Sequence, residues 1–115
     1  MIEDNIKIFR ALSDLDRLRI LKALQLKVLC ECEIKELLGL TKSTISKHLG
    51  ILKESGFVLE QKNGKWFDYT INPKPKDARI STILATIDYW IADEKIIISD
   101  KLKIKTLDRK NICCN

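Results

Sequence analysis

Thr41-Lys42-Ser43-Thr44-Ile45-Ser46-Lys47-His48-Leu49-Gly50-Ile51-Leu52-Lys53-Glu54-Ser55-Gly56 reads as one short amphipathic helix, and its outer face decides the fold. Thr41 is suited to cap it, because its hydroxyl accepts from a backbone N–H that has no partner inside the helix. At about 100° per residue, Ile45, Leu49 and Leu52 share one side, while Ser43, Ser46, Lys47 and Gly50 share the other, with Lys42 at the edge. A helix enters the major groove of a duplex only if its exposed side chains are short or reach for phosphates and base edges. Thr41, Lys42, Ser43, Thr44, Ser46, Lys47 and Gly50 are therefore the candidate groove-facing residues. A glycine inside a helix costs about 1 kcal/mol relative to alanine, so Gly50 asks for a reason. Close approach to another backbone is one, and room for packing inside the protein is the other. His48 lies beside the buried stripe and reads as a packing or hydrogen-bonding residue before a metal ligand.

Upstream, a short helix over about residues 32–38 ends at Gly39, a residue suited to the left-handed cap. The two or so residues before Thr41 force a corner of the helix-turn-helix kind. Before that, Leu18, Leu21 and Leu24 repeat in a helix capped by Asp14, which turns Arg17, Arg19 and Lys22 outward and frays near Lys27. A first helix carries Ile2, Ile6, Phe9 and Leu12 on one stripe and stops at Ser13-Asp14.

Downstream, Asn63-Gly64 stands between the β-prone runs 57–61 and 66–71, which is a strong hairpin signal. Lys62 and Lys65 flank this turn, placed to reach the minor groove or its phosphates. Asn72-Pro73-Lys74-Pro75 breaks the chain again. A long helix over about residues 78–102 then sets Ile80, Ile83, Leu84, Ile87, Ile91 and Ile98 on one face too apolar to leave in water. The expected fold is mainly α with a β-hairpin wing: a winged helix-turn-helix of four helices, a hairpin and a long C-terminal helix. It forms one domain over residues 1–115, with the first and last helices as a dimer interface.

Charge supports a polyanionic partner. The chain of 115 residues has a net charge of +5, and Lys42, Lys47, Lys53, Lys62, Lys65, Lys74 and Lys76 stand against Glu54, Glu60 and Asp68 between residues 41 and 76. That stretch carries +4 of the +5, a concentrated field suited to nucleic acid. No apolar run approaches the roughly 20 residues that span a bilayer, and the acidic start is unlike a signal peptide, so a cytoplasmic protein with no membrane partner is expected. One histidine, no glycine-rich phosphate loop and no His-Glu metal motif leave little from which to build an enzyme.

Four cysteines fall in two tight pairs, Cys30/Cys32 and Cys113/Cys114. In a reducing compartment such pairs read as metal or redox thiols before disulfides. Residues i and i+2 of a regular helix point about 200° apart, so their sulfurs cannot both sit about 2.3 Å from one ion. On that reading chelation distorts the first turn of the helix that buttresses the reading helix, with a coupling of about 1–3 kcal/mol.

Three stretches together carry a family resemblance: Ala11-Leu12-Ser13-Asp14-Leu15-Asp16-Arg17-Leu18-Arg19-Ile20-Leu21, then Leu29-Cys30-Glu31-Cys32-Glu33-Ile34, then residues 44–58. Over about residues 5–72 the chain resembles the ArsR/SmtB family of metal-sensing repressors. The resemblance implies a homodimer made by the first and last helices, an operator bound in the apo form, and release of double-stranded DNA when a toxic metal or metalloid binds. The family's Cys-x-Cys motif matches Cys30 and Cys32. Its best-known arsenic sensors carry a third cysteine three places later, where this chain has Lys35, so either two thiols suffice or Cys113 or Cys114 supplies the third. Other members bind zinc or nickel through histidine and carboxylates on the last helix, which here offers Asp88, Asp93 and Glu94 but no histidine.

Soft thiolates favour arsenite, antimonite, cadmium, lead or copper(I) over hard cations, and among these the resemblance points to arsenite or antimonite as inducer, with cadmium or lead as alternatives. No organic cofactor is expected. Two other functions fit the same residues: a thiol redox or sulfide-responsive repressor on this scaffold, and a metal-binding thiol protein that never touches DNA.

Overall fold

The computed structural model describes residues 2–112. Its order is α1 (Ile2–Leu12), α2 (Leu15–Leu26), β1 (Leu29–Cys30), α3 (Glu31–Leu38) and α4 (Lys42–Glu54). There follow β2 (Val58–Asn63), β3 (Trp66–Ile71), α5 (Ala78–Ile87), α6 (Lys95–Ile104) and α7 (Arg109–Ile112). The core is shared by α2, α3, α4 and the sheet, with Ile20, Leu21, Leu29, Ile34, Ile45, Leu52, Phe57 and Val58 sealed from solvent. Ile45, Leu49 and Leu52 face inward, as the helical wheel of α4 requires.

Caps set the corners. Asp14 accepts from the Arg17 N–H at 3.1 Å to start α2, and Gly39, at φ +71°, ends α3 in the left-handed region. The hairpin of β2 and β3 pairs Asn63 with Trp66, so the two-residue turn is Gly64-Lys65 and Lys65 stands in the turn rather than beside it. Gly64 takes φ +63°, which glycine adopts without strain. The two-residue strand β1 adds to the other edge of β3, pairing Leu29 with Tyr69 and Cys30 with Asp68 in an antiparallel sheet of order β1-β3-β2. Two residues are too short to show a strand period in sequence.

Two expectations are overturned. Arg17, Arg19 and Lys22 do not point into solvent. Arg19 is only 12% exposed at its side chain and forks onto Asp100 of α6 through Nε at 2.9 Å and Nη2 at 3.0 Å. Those hydrogen bonds raise its pKa against the opposing effect of burial. Lys22 donates from Nζ to the carbonyls of Ile87 and Asp88 at 2.9 and 2.8 Å, and burial lowers its pKa.

The helix expected over 78–102 is two helices, not one. Lys22 and Gln25 satisfy carbonyls at the end of α5, and the chain reverses through residues 88–94, where Ile91 takes φ 54°. A straight continuation would carry Asp100 about 20 Å beyond Ile87, out of reach of Arg19. Instead α6 lies along α2, and Lys103 donates to the carbonyls of Glu36 and Leu37 at the end of α3. The outer stripe of α1 stays exposed: Ile2, Ile6 and Phe9 face solvent, while Ile8 and Ala11 are buried.

Candidate nucleic-acid interface and thiol site

The outer face of α4 is open. Thr41, Lys42, Ser43, Ser46, Lys47 and Gly50 are all exposed, with Thr44 half-buried where its N–H meets the Thr41 hydroxyl at 3.3 Å. Lys62, Gly64 and Lys65 are exposed at the hairpin turn. A Cβ added to Gly50 would meet nothing within 4 Å, so packing inside the chain does not explain the glycine. Gly50→Ala is therefore expected to raise stability by about 0.5–1 kcal/mol in urea melts, because the helix gains a better former. The same variant is expected to bind duplex DNA more weakly; unchanged binding would remove Gly50 from the interface.

His48 is buried on the inner side of α4, with Nδ1 3.1 Å from Arg17 Nη1. A guanidinium only donates, so Nδ1 accepts and the neutral ring carries its proton on Nε2. Arg17 also donates to the carbonyls of Ala11 at 2.7 Å and Arg10 at 3.0 Å, which ties the end of α1 to α4. Burial works to raise the Asp14 pKa, yet the Arg17 N–H and guanidinium and His48 hold it below its usual value. Asp14, Asp16 and His48 form a cluster with metal-ligand atoms within 4.8 Å of one another among the described residues. The Arg17 guanidinium already fills the role of its cation.

The thiols sit where strand becomes helix. Cys30 ends β1 and caps α3 with extended backbone, φ −88° and ψ 168°, and is buried; Cys32 is half-buried in the first turn. The two are therefore not i and i+2 of a regular helix, and the expectation that chelation must unwind a helical turn falls. Cys113 and Cys114 lie outside the described residues. Cys30, Cys32, Lys35, Lys42, Lys65 and Trp66 line a cleft of about 190 Å³ between α3, the start of α4 and the wing tip. Two lysines of the expected DNA surface thus stand on the rim of the thiol cleft.

Carboxylates unnoticed in the sequence organise this cleft. Glu31, between the two cysteines, accepts a hydrogen bond from the Ser46 hydroxyl on the outer face of α4. Glu33 is buried at the third position of α3 and accepts from the Cys30 N–H at 3.0 Å. The same Oε1 receives Arg109 Nε at 3.0 Å and Nη2 at 2.8 Å, which docks α7 on α3. Burial opposes the charge on Arg109, but Glu33, Cys30 and Asp68 outweigh it and raise its pKa. A glutamate three places after a cap residue is the back-reaching half of a capping box, a signal that marks Glu33 in the sequence. Arg109 carries no such signal, since its partners lie 41 and 76 positions away.

The wing is tied to α4 by Lys53, which meets Glu60 at 3.1 Å, and the Tyr69 hydroxyl also donates to Glu60. Tyr69 and Lys53 together lower the Glu60 pKa, while burial and Glu60 raise that of Tyr69.

Residues 14–59 match a family model described as bacterial regulatory protein, arsR family. The arsenical resistance operon repressor of Escherichia coli is 41% identical over 59% of this chain and 59% of its own length. The arsenic resistance transcriptional regulator ArsR2 of Pseudomonas putida is 30% identical over 93% of this chain and 95% of its own. Among solved structures, the homodimeric winged helix-turn-helix DNA-binding domain Mb0332 of Mycobacterium bovis matches with a TM-score of 0.65. It covers 82% of each chain at 24% identity, a likeness of fold. With its helix-turn-helix, hairpin wing and Cys-x-Cys corner in one arrangement, this chain belongs to the ArsR family of winged-helix regulators, which govern transcription rather than catalyse a reaction.

Proposed function

We propose that the protein is a homodimeric repressor that leaves a double-stranded DNA operator when arsenite or antimonite, or alternatively cadmium or lead, binds Cys30 and Cys32. Either these two thiolates suffice, or one from Cys113 or Cys114 completes the site in place of the cysteine that Lys35 replaces. The observation that carries this reading is the Ser46 hydroxyl resting on Glu31, the residue between the two thiols. Drawing the sulfurs of Cys30 and Cys32 to within about 2.3 Å of one ion shifts Glu31, and with it the hydrogen bond that holds a groove-facing residue. That Lys42 and Lys65 line the same cleft as Cys30 and Cys32 supports a coupling between thiol ligation and the phosphate-reaching groups. The docking of α7 on α3 supports a tail ligand, because Cys113 directly follows Ile112 and each further residue reaches about 3.5 Å.

Dimerisation rests on α1 and α5. Phe9, Leu12, Leu18, Ile83, Ile87 and Trp90 border an apolar groove of about 370 Å³, with Phe9 64% and Trp90 59% exposed. So much apolar surface side by side favours a second copy. Two copies would present their α4 helices to successive major grooves about 34 Å apart, so the operator is expected to be an approximate palindrome. Sedimentation at micromolar concentration is expected to read a dimer; a monomer would count against the arrangement.

The test is a titration of arsenite, cadmium and zinc against the complex of the full chain with DNA from upstream of its own gene, with each thiol pair replaced in turn. Strict reducing conditions separate metalloid release from oxidation. Affinity that falls as salt rises marks phosphate binding, and no gel shift at low salt would reject a DNA-binding function.

A further inference from the structure

Arg109 of α7 reaches two other elements, α3 and β3. Its guanidinium meets Glu33 of α3, lies 2.8 Å from Asp68 Oδ1 of β3 as an ion pair, and sits 5.1 Å from the centre of the Trp66 ring. Asp68 is the cross-strand partner of Cys30, and its other oxygen accepts from Asn63 Nδ2 at 3.0 Å, next to the wing turn. A chain of polar contacts therefore runs from the Cys30 N–H through Glu33, Arg109 and Asp68 to Asn63. Its other end is the turn that carries Lys65.

We propose that Arg109 is the positioning residue that carries the state of the thiol pair to the wing, by joining buried Glu33 to Asp68 across the C-terminal arm. The proposal rests on Cys30 and Cys32 being the inducer ligands. Glu33 is only 2% exposed, so half-docked positions of the arm would strand a buried carboxylate and are disfavoured. A relay of this kind needs a docked and a released position of the arm, of which the structure shows the docked one. Ligation that moves Cys30 moves the N–H that shares Glu33 Oε1 with Arg109. The fork on Glu33 then loosens, and with it the hold on Asp68 and the wing.

The experiment measures, for the full chain, the factor by which arsenite weakens operator binding, together with the stoichiometry of arsenite bound. In the wild type a factor in the usual range of about 5–150-fold is expected. Arg109→Met is expected to load arsenite with unchanged stoichiometry while that factor falls at least about fivefold, toward unity. Arg109→Lys, which keeps the charge but loses the planar fork, is expected to fall between them. If Arg109→Met fails to fold because Glu33 is left unpaired, the Glu33→Gln, Arg109→Met double variant removes that charge and keeps an acceptor for the Cys30 N–H. A methionine variant that folds, loads arsenite and keeps the full wild-type factor overturns the proposal, even if its melting temperature has dropped. A wild-type protein that loads arsenite without weakening on DNA overturns the inducer reading itself, and this relay with it.

Discussion

The Cys32→Ser protein is expected to hold its operator with wild-type affinity and to stay on it when arsenite is added. Serine is close to cysteine in size, and Cys32 is half-buried in the first turn of α3, so the exchange leaves the core and the outer face of α4 in place. What disappears is a sulfur ligand, and an alcohol is a poor ligand for a soft thiophilic centre. The wild-type loss of affinity, about 5–150-fold if the coupling lies in the usual 1–3 kcal/mol range, is expected to shrink to none. Anisotropy of a labelled operator under reducing conditions reads this directly. Normal release from the Cys32→Ser protein would remove Cys32 from the inducer site. The substitution tests a switch rather than a fold, since urea melts of the variant are expected to match the parent within about 0.5 kcal/mol.

The largest stability effect is expected at Asp100. Its carboxylate, 7% exposed at the side chain, accepts both prongs of Arg19, and Asp100→Ala would leave a guanidinium 12% exposed with, among the described residues, Asp16 at 3.4 Å as its remaining ion-pair partner. Breaking a buried pair by removing one partner destabilises by roughly 3–5 kcal/mol, because the remaining charge keeps its desolvation and loses its compensation. Partial exposure of Arg19 and help from Asp16 place the expectation at the lower end, about 3 kcal/mol in urea-melt free energy. Replacing both partners by apolar residues of similar size, Arg19→Met with Asp100→Leu, is expected to recover most of that loss. If Asp100→Ala cost less than about 1 kcal/mol, as exposed pairs do, the claim that this pair holds α6 against α2 would fail.

These two sites differ in how far they were legible in the chain. Cys32 announces itself by its type and by the spacing to Cys30, and the open polar face of α4 follows from counting residues around a helix. The corners were readable for the same local reason: Asp14, Gly39, Thr41 and Gly64 act on backbone groups within a few positions of themselves. The pairing of Arg19 with Asp100 spans 81 positions, and nothing near either residue signals the other.

The sequence by itself determined the order of helix, corner, reading helix and wing, because apolar periodicity, capping and turn chemistry are short-range forces. It also determined which side of α4 is polar and that two thiols stand one residue apart. Only the tertiary structure decided that the apolar run after Asp77 folds back as α5 and α6, since the ties that hold each half belong to Arg19, Lys22 and Gln25 of a distant helix. It alone placed Cys30 at the end of a strand rather than inside a helix, because a two-residue strand exists only by pairing with β3. The joining of Arg109 to Glu33 and Asp68 was decided the same way: ion pairs between remote residues form where packing has already removed them from water, and packing is a property of the whole chain.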